Sequence, residues 1–166
     1  FSRNVLTLMT GTTIAQAIPI AISPILTRIY TPEDFGVFAL FIGVVGVISV
    51  IATLTYEQAI ILPKYDKYAI NIFMLSLILI LFTSIFSFII IFSFKEEILN
   101  LLNNDLLGNW LFFVPITVFF LALFNLLTNY NNRIKEYKDI AKATVIKSLV
   151  LSIIQVLIGF LKSGFA

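Results

Sequence analysis

The sequence contains no cysteine and no histidine. Without cysteine there is no disulfide framework and no thiol chemistry. Without histidine the chain lacks the commonest general base and the commonest transition-metal ligand, so no metal site is expected. Charge is scarce as well. Only 12% of residues are charged, where a soluble domain averages about 25%. The net charge of +2 is small and says little about nucleic acid. No basic patch interleaved with aromatics is present either, so no nucleic-acid partner is expected. The chain has no G-x-x-x-x-G-K-[ST], no H-E-x-x-H and no G-x-S-x-G. An intramembrane enzyme is poorly supported, no catalytic residue is singled out, and no cofactor is expected.

What the chain does have is apolar sequence. Hydrophobic residues make up 60% of it and the mean hydropathy is +1.04. The 17 Phe read as lipid-facing filler, not as a cofactor box. Five apolar runs stand out, at residues 5–29, 34–56, 69–94, 110–130 and 141–161. Each is long enough to cross about 30 Å of hydrocarbon at about 1.5 Å per residue. Backbone groups in lipid must pair within their own segment, so all five are expected to be helices. The fold class is all-α, a polytopic membrane helix bundle. The chain starts at Phe1 without an initiator Met and stops at "KSGFA", just after the fifth run. It is therefore expected to be a piece of a longer protein. Ala15-Gln16-Ala17 has the look of a signal-peptidase site. The apolar run continues past it with no basic segment before it, so a true first span is preferred.

Lysine and arginine set the orientation. Arg3, Lys64, Lys67, Arg133, Lys135, Lys138, Lys142 and Lys147 fall on one side. Arg28, Lys95 and Lys162 fall on the other. The N-terminus is therefore expected in the cytoplasm, with residues 30–33 and 95–109 facing outward. Ile98, Leu99, Leu102 and Leu106 recur at helical spacing, which predicts a side-lying amphipathic helix near 96–107.

Polar residues inside the spans form stripes. In the first span Thr10, Thr13, Ala17, Ala21 and Pro24 share a face, with Gln16 on its shoulder. Pro19 and Pro24 each remove a backbone bond and are expected to bend the outer half of this helix, as a gating element. In the second span Gly36, Ala39, Gly43, Gly46, Thr53 and Glu57 form a stripe read as helix packing. In the fifth, Thr144, Ser148, Ser152, Gln155 and Gly159 form another, with Lys147 beside it. Two readings stand for the edges of spans one and five: packing, or lining a water-filled cavity. On the second reading Thr13, Gln16 and Gln155 are candidates for contact with a substrate.

Thr31-Pro32-Glu33-Asp34 has the layout of a helix start. Thr31 serves as N-cap, Pro32 suits the first helical position, and the acids meet the positive end of the helix dipole. Arg28 has two readings: snorkelling to the outer interface, or facing the bundle interior to bind an anion. Glu57 lies a turn or two inside apolar sequence, a costly place for an acid. It is a candidate for ion or charge coupling, with Lys147 as a partner, or else reaches the cytoplasmic interface.

"SRNVLTLMTGTTIAQAIPIAISPILTRIYTPEDFGVFALF", residues 2–41, resembles the first two spans of bacterial polysaccharide flippases. These are the O-antigen and capsule repeat-unit translocases of the multidrug/oligosaccharidyl-lipid/polysaccharide exporter superfamily. "TRIYTPEDFGVFAL" is the most specific part, and "YEQAIILPK", residues 56–64, is similar to the segment after span two. Beyond residue 66 the likeness rests on hydropathy. The resemblance implies a protein of twelve to fourteen spans in two lobes, this chain being most of the N-terminal lobe. It implies alternating access in the bacterial cytoplasmic membrane. The implied substrate is an undecaprenyl-diphosphate-linked oligosaccharide, with polymerase and chain-length proteins of the pathway as further partners. It makes Arg28 the candidate for meeting the diphosphate and Glu57 the candidate for an internal pair or a coupling ion. An ion-coupled drug exporter of the same fold is the alternative. Short outer loops with hardly any Arg and no His speak against a polymerase. Alone, residues 1–166 are expected to be unstable or inactive.

Overall fold

The computed structural model describes residues 2–164. Among these, every regular element is helical. Six α-helices follow one another: α1 (Ser2–Ile29), α2 (Pro32–Thr53), α3 (Asp66–Ser93), α4 (Lys95–Leu102), α5 (Val114–Arg133) and α6 (Tyr137–Gly164). Two 3-10 stretches, Tyr56–Ile61 and Asp105–Phe113, precede α3 and α5. Five segments are long and apolar enough to cross a membrane: Leu6–Ile29, Pro32–Ala52, Asp66–Ser93, Leu106–Arg133 and Tyr137–Leu161. Large apolar side chains stand on the outside, Leu62 at 82% and Ile20 at 72% exposure among them. Lipid, not water, is the solvent such a surface suits. This is an all-α, multi-pass membrane protein.

The helix start at residue 31 forms as its sequence dictates. The Asp34 carboxylate accepts from the Thr31 N–H and the Thr31 hydroxyl, both at 3.0 Å. The Asp34 N–H donates to Thr31 Oγ1 at 3.3 Å. This reciprocal pair satisfies two of the donors that a helix start leaves free. Two boundaries differ from expectation. The second helix stops at Thr53, not 56, because Leu54 and Thr55 turn left-handed (φ 48° and 58°). The amphipathic helix ends at Leu102, where Asn103 (φ 48°) caps it. Its Ile98, Leu99 and Leu102 pack on a protein core instead of lying on lipid, and Leu106 belongs to the following 3-10 stretch.

The chain divides into two compact units. The first holds α1, the turn after it, and α6. These helices run parallel: Gly11 meets Ala141 near their starts, and Gly159 meets Ile29 and Tyr30 near their ends. Parallel packing is what two spans an even number of crossings apart require. Contact is close because small residues face each other. A Cβ at Gly11 would collide with the Cβ of Ala141, whereas one at Gly159 would meet the Ile29 methyl at 2.6 Å and the Tyr30 ring at 3.0 Å. α1 continues as one helix through Pro19 and Pro24. Pro19 has no N–H, which strands the carbonyl four residues back, that of Ala15. The Ser148 hydroxyl of α6 donates to that carbonyl at 2.6 Å. A neighbouring hydroxyl thus repairs the ladder where the proline broke it.

Gly11→Ala is expected to destabilise the protein by about 1–3 kcal/mol, since two Cβ atoms on packed helices have no room to move apart. Gly159→Ala is expected to cost less, because side chains there give way. Thermal unfolding of the detergent-purified full-length protein checks the order. A larger loss at Gly159 than at Gly11 counts against this packing.

The second unit, Gly36–Arg133, has two apolar cores. One gathers Val45 and Ala52 of α2, Ile91 of α3, Leu107 and Leu111, and Val114 and Val118 of α5. The other gathers Ile60 of the Tyr56–Ile61 stretch, Ala69 and Ile80 of α3, and Ala122 and Leu126 of α5. α3 and α5 are antiparallel: Ser84 Oγ donates to the Pro115 carbonyl at 2.8 Å, and Asp66 meets Arg133 at the other end. The buried face of α2 is Val45 and Ala52, not the glycine stripe. A Cβ at Gly36, Gly43 or Gly46 meets nothing within 4 Å. The glycines of the stripe read from sequence as a packing face are therefore open here, because β-branched and larger residues bury more apolar area than glycine can, while Glu57 at its end is buried.

Candidate functional site

The first unit presents a polar edge. Thr10, Thr13, Ala17, Ala21 and Pro24 are all exposed, while Gly11 and Ala15 are buried against α6. Arg28, four residues beyond Pro24, continues the same face. It is exposed, in the last turn of α1, and makes no side-chain hydrogen bond or ion pair among the described residues. Gln16 is exposed on the shoulder of this face. Thr10 turns its hydroxyl back onto the carbonyls of Leu6 (2.8 Å) and Thr7 (3.1 Å), so its polar atom is satisfied within the helix. Thr13, Gln16 and Arg28 are thus gathered on the side of α1 that α6 leaves uncovered.

The stripe on α6 takes a different part. Ser152 and Gly159 are buried, Thr144, Ser148 and Gln155 are half-buried, and Ser148 bonds α1. The Tyr30 hydroxyl donates to the Gln155 backbone carbonyl at 2.8 Å. Gln155 therefore lies along the α1–α6 contact, apart from the exposed edge that carries Thr13 and Gln16. Lys147 is exposed on α6 beside this stripe.

In the second unit the segment after α2 carries the buried acid. Ala52 of α2 lies beside the middle of α3, with its carbonyl accepting from Thr83 Oγ1 at 3.3 Å. Pro63 and Asp66 lie at the far end of α3, beside Arg133. The Tyr56–Ile61 stretch between them packs on α3 and α5. This is irregular backbone at membrane depth, tolerated only where protein covers it and its polar groups find partners. Arg133 supplies them. One guanidinium nitrogen donates to the carbonyls of Ile60 (3.0 Å) and Pro63 (2.7 Å), and the other to Asp66 Oδ1 (2.9 Å). Sequence reading used Arg133 only as one positive charge of the cytoplasmic side. Its position at a helix end facing "LPKYD" gave no sign that it would brace that loop.

Glu57 lies in the first turn of the 3-10 stretch and is 7% exposed. Its Oε2 is buried with no hydrogen-bond partner. A buried polar atom without a partner is costly to keep. Glu57 and Lys147 lie in different units.

A family model described as polysaccharide biosynthesis protein matches residues 25–166. No curated protein matches the chain, and no solved structure matches it.

Proposed function

The chain belongs to the family of polysaccharide biosynthesis proteins, and from that premise we propose that it moves a lipid-linked oligosaccharide across the bacterial cytoplasmic membrane by alternating access. Its role lies in polysaccharide synthesis or export. The observation that carries the finer reading is the pairing of that family with five membrane-crossing segments. A pathway that assembles glycans on one side of a membrane and uses them on the other needs a translocator. The substrate class is an undecaprenyl-diphosphate-linked repeat unit, and the chain is most of one lobe of the transporter. Arg28, on the uncovered edge of α1, suits a diphosphate, because a guanidinium pairs with phosphate oxygens through two parallel bonds. Thr13 and Gln16 would line the path. Pro19 and Pro24 would let α1 bend. The role is transport, not bond-making, and polymerase and chain-length proteins of the pathway are the expected partners.

The buried, unpartnered Oε2 of Glu57 favours coupling to a proton or cation. That feature also suits the second reading, an ion-coupled small-molecule exporter. Complementation of a flippase-deficient strain with the full-length gene separates the two. Restored surface glycan, lost in Arg28→Ala and kept in Arg28→Lys, is expected. Drug resistance without restored glycan would favour the exporter.

The orientation is testable in a cysteine-free background. Glu97→Cys is expected to react with a membrane-impermeant maleimide in intact spheroplasts. Tyr65→Cys is expected to react only after lysis. The reverse pattern would overturn the cytoplasmic N-terminus.

A further inference from the structure

Near the start of the first unit the α1–α6 pair leaves a groove of about 440 Å³. It exists because Gly11 and Ala141 bring the helices into contact without filling the space beside them. Ile14, Val145 and Ile146 form apolar walls, Thr10 lies at the edge, and Lys138 and Lys142 stand at the rim. Lys138 is in the first turn of α6 and Ile146 is roughly 12 Å deeper. The charges therefore sit at the end of two membrane-crossing helices, where headgroups lie, and the apolar walls sit where acyl chains begin.

From this arrangement we infer that the groove binds an anionic phospholipid of the surrounding bilayer. Its phosphate lies between Lys138 and Lys142, and one acyl chain runs along Ile14, Val145 and Ile146. The two lysines are one turn apart on one face, so both reach a single headgroup. They stand at the N-terminal end of α6, where the helix dipole also favours an anion. Lys142 Nζ lies 4.0 Å from the Asp139 carboxylate, with the two side chains 73% and 62% exposed. Such a pair is weak in water and yields to a phosphate. Lys138 makes no hydrogen bond or ion pair among the described residues. The inference is independent of what the protein transports. It needs only the membrane and this helix pair.

Native mass spectrometry of the detergent-purified full-length protein tests it, with dioleoylphosphatidylglycerol and dioleoylphosphatidylcholine as matched probes. The wild type is expected to prefer the anionic lipid. Each lysine near the headgroups is worth about fivefold, so Lys138→Gln with Lys142→Gln is expected to cut that preference by about 25-fold. The double arginine variant is expected to keep it. Ile14→Trp, which fills the groove, is expected to weaken both lipids. Equal binding of the two lipids by wild type overturns the inference, as does an unchanged preference in the double glutamine variant. Inorganic phosphate competing as well as the anionic lipid would reduce the site to a phosphate site. A polyprenyl phosphate displacing the anionic lipid at equal concentration would make the carrier lipid the occupant. Either result overturns the assignment to bulk phospholipid.

Discussion

Arg133→Ala is expected to destabilise the full-length protein by about 2–6 kcal/mol, the largest stability loss among the substitutions considered, because two carbonyls lose their donor at about 1–3 kcal/mol each. The reason is what the guanidinium leaves behind. The Arg133 side chain is 12% exposed and Asp66 is 89% exposed. The ion pair itself is therefore worth little, about 0–1 kcal/mol. The loss comes from the Ile60 and Pro63 carbonyls, which lose the donor they share, that of the buried Ile60 above all. Asp66→Asn is accordingly expected to cost under about 1 kcal/mol. Arg133→Lys is expected to fall between, because an ammonium offers one point of charge where the guanidinium spans two carbonyls and a carboxylate. Thermal or denaturant unfolding in detergent compares the three. An Arg133→Ala loss no larger than that of Asp66→Asn would mean that Arg133 does not brace the Tyr56–Ile61 stretch.

Neutralising Glu57 is expected to have opposite effects on stability and on function. Glu57→Gln removes a charge from a place where one oxygen has no partner, so unfolding should shift up by about 1–3 kcal/mol. On the coupled-transport reading, surface glycan in the complementation strain should be lost at matched expression. The backbone here is already strained: Leu54 and Thr55 hold left-handed conformations that cost about 1–2 kcal/mol each. Strain and a buried oxygen without a partner thus lie within three residues of one another. A stabilised and fully active Glu57→Gln protein would make the acid a passive feature of the turn. A destabilised one would mean that the carboxylate has a partner in the full-length protein.

Much of this molecule was legible from its residues. Apolar runs longer than a bilayer is thick left no choice but helices, since lipid offers backbone groups nothing to bond. Thr31 and Asp34 were readable as a helix start because capping is local, with every partner within four residues. That Pro19 would strand the Ala15 carbonyl follows from proline geometry alone. Which donor would answer it does not: Ser148 is 133 residues away, and periodicity cannot say which helix lies alongside.

The same limit explains the stripes. Sequence groups residues onto a face but does not say what that face meets. Ser148 and Gly159 went to the α1 contact, while Thr13, Gln16 and Arg28 were left on the open side, and the glycines of α2 lost their core to larger neighbours. Membrane class, helix count and the capped turn were determined by local chemistry and by the solvent. The brace from Arg133, the burial of Glu57 and the groove between α1 and α6 were decided by tertiary structure. Each depends on which distant segments the packing brings within 3 or 4 Å, and no local rule carries that distance.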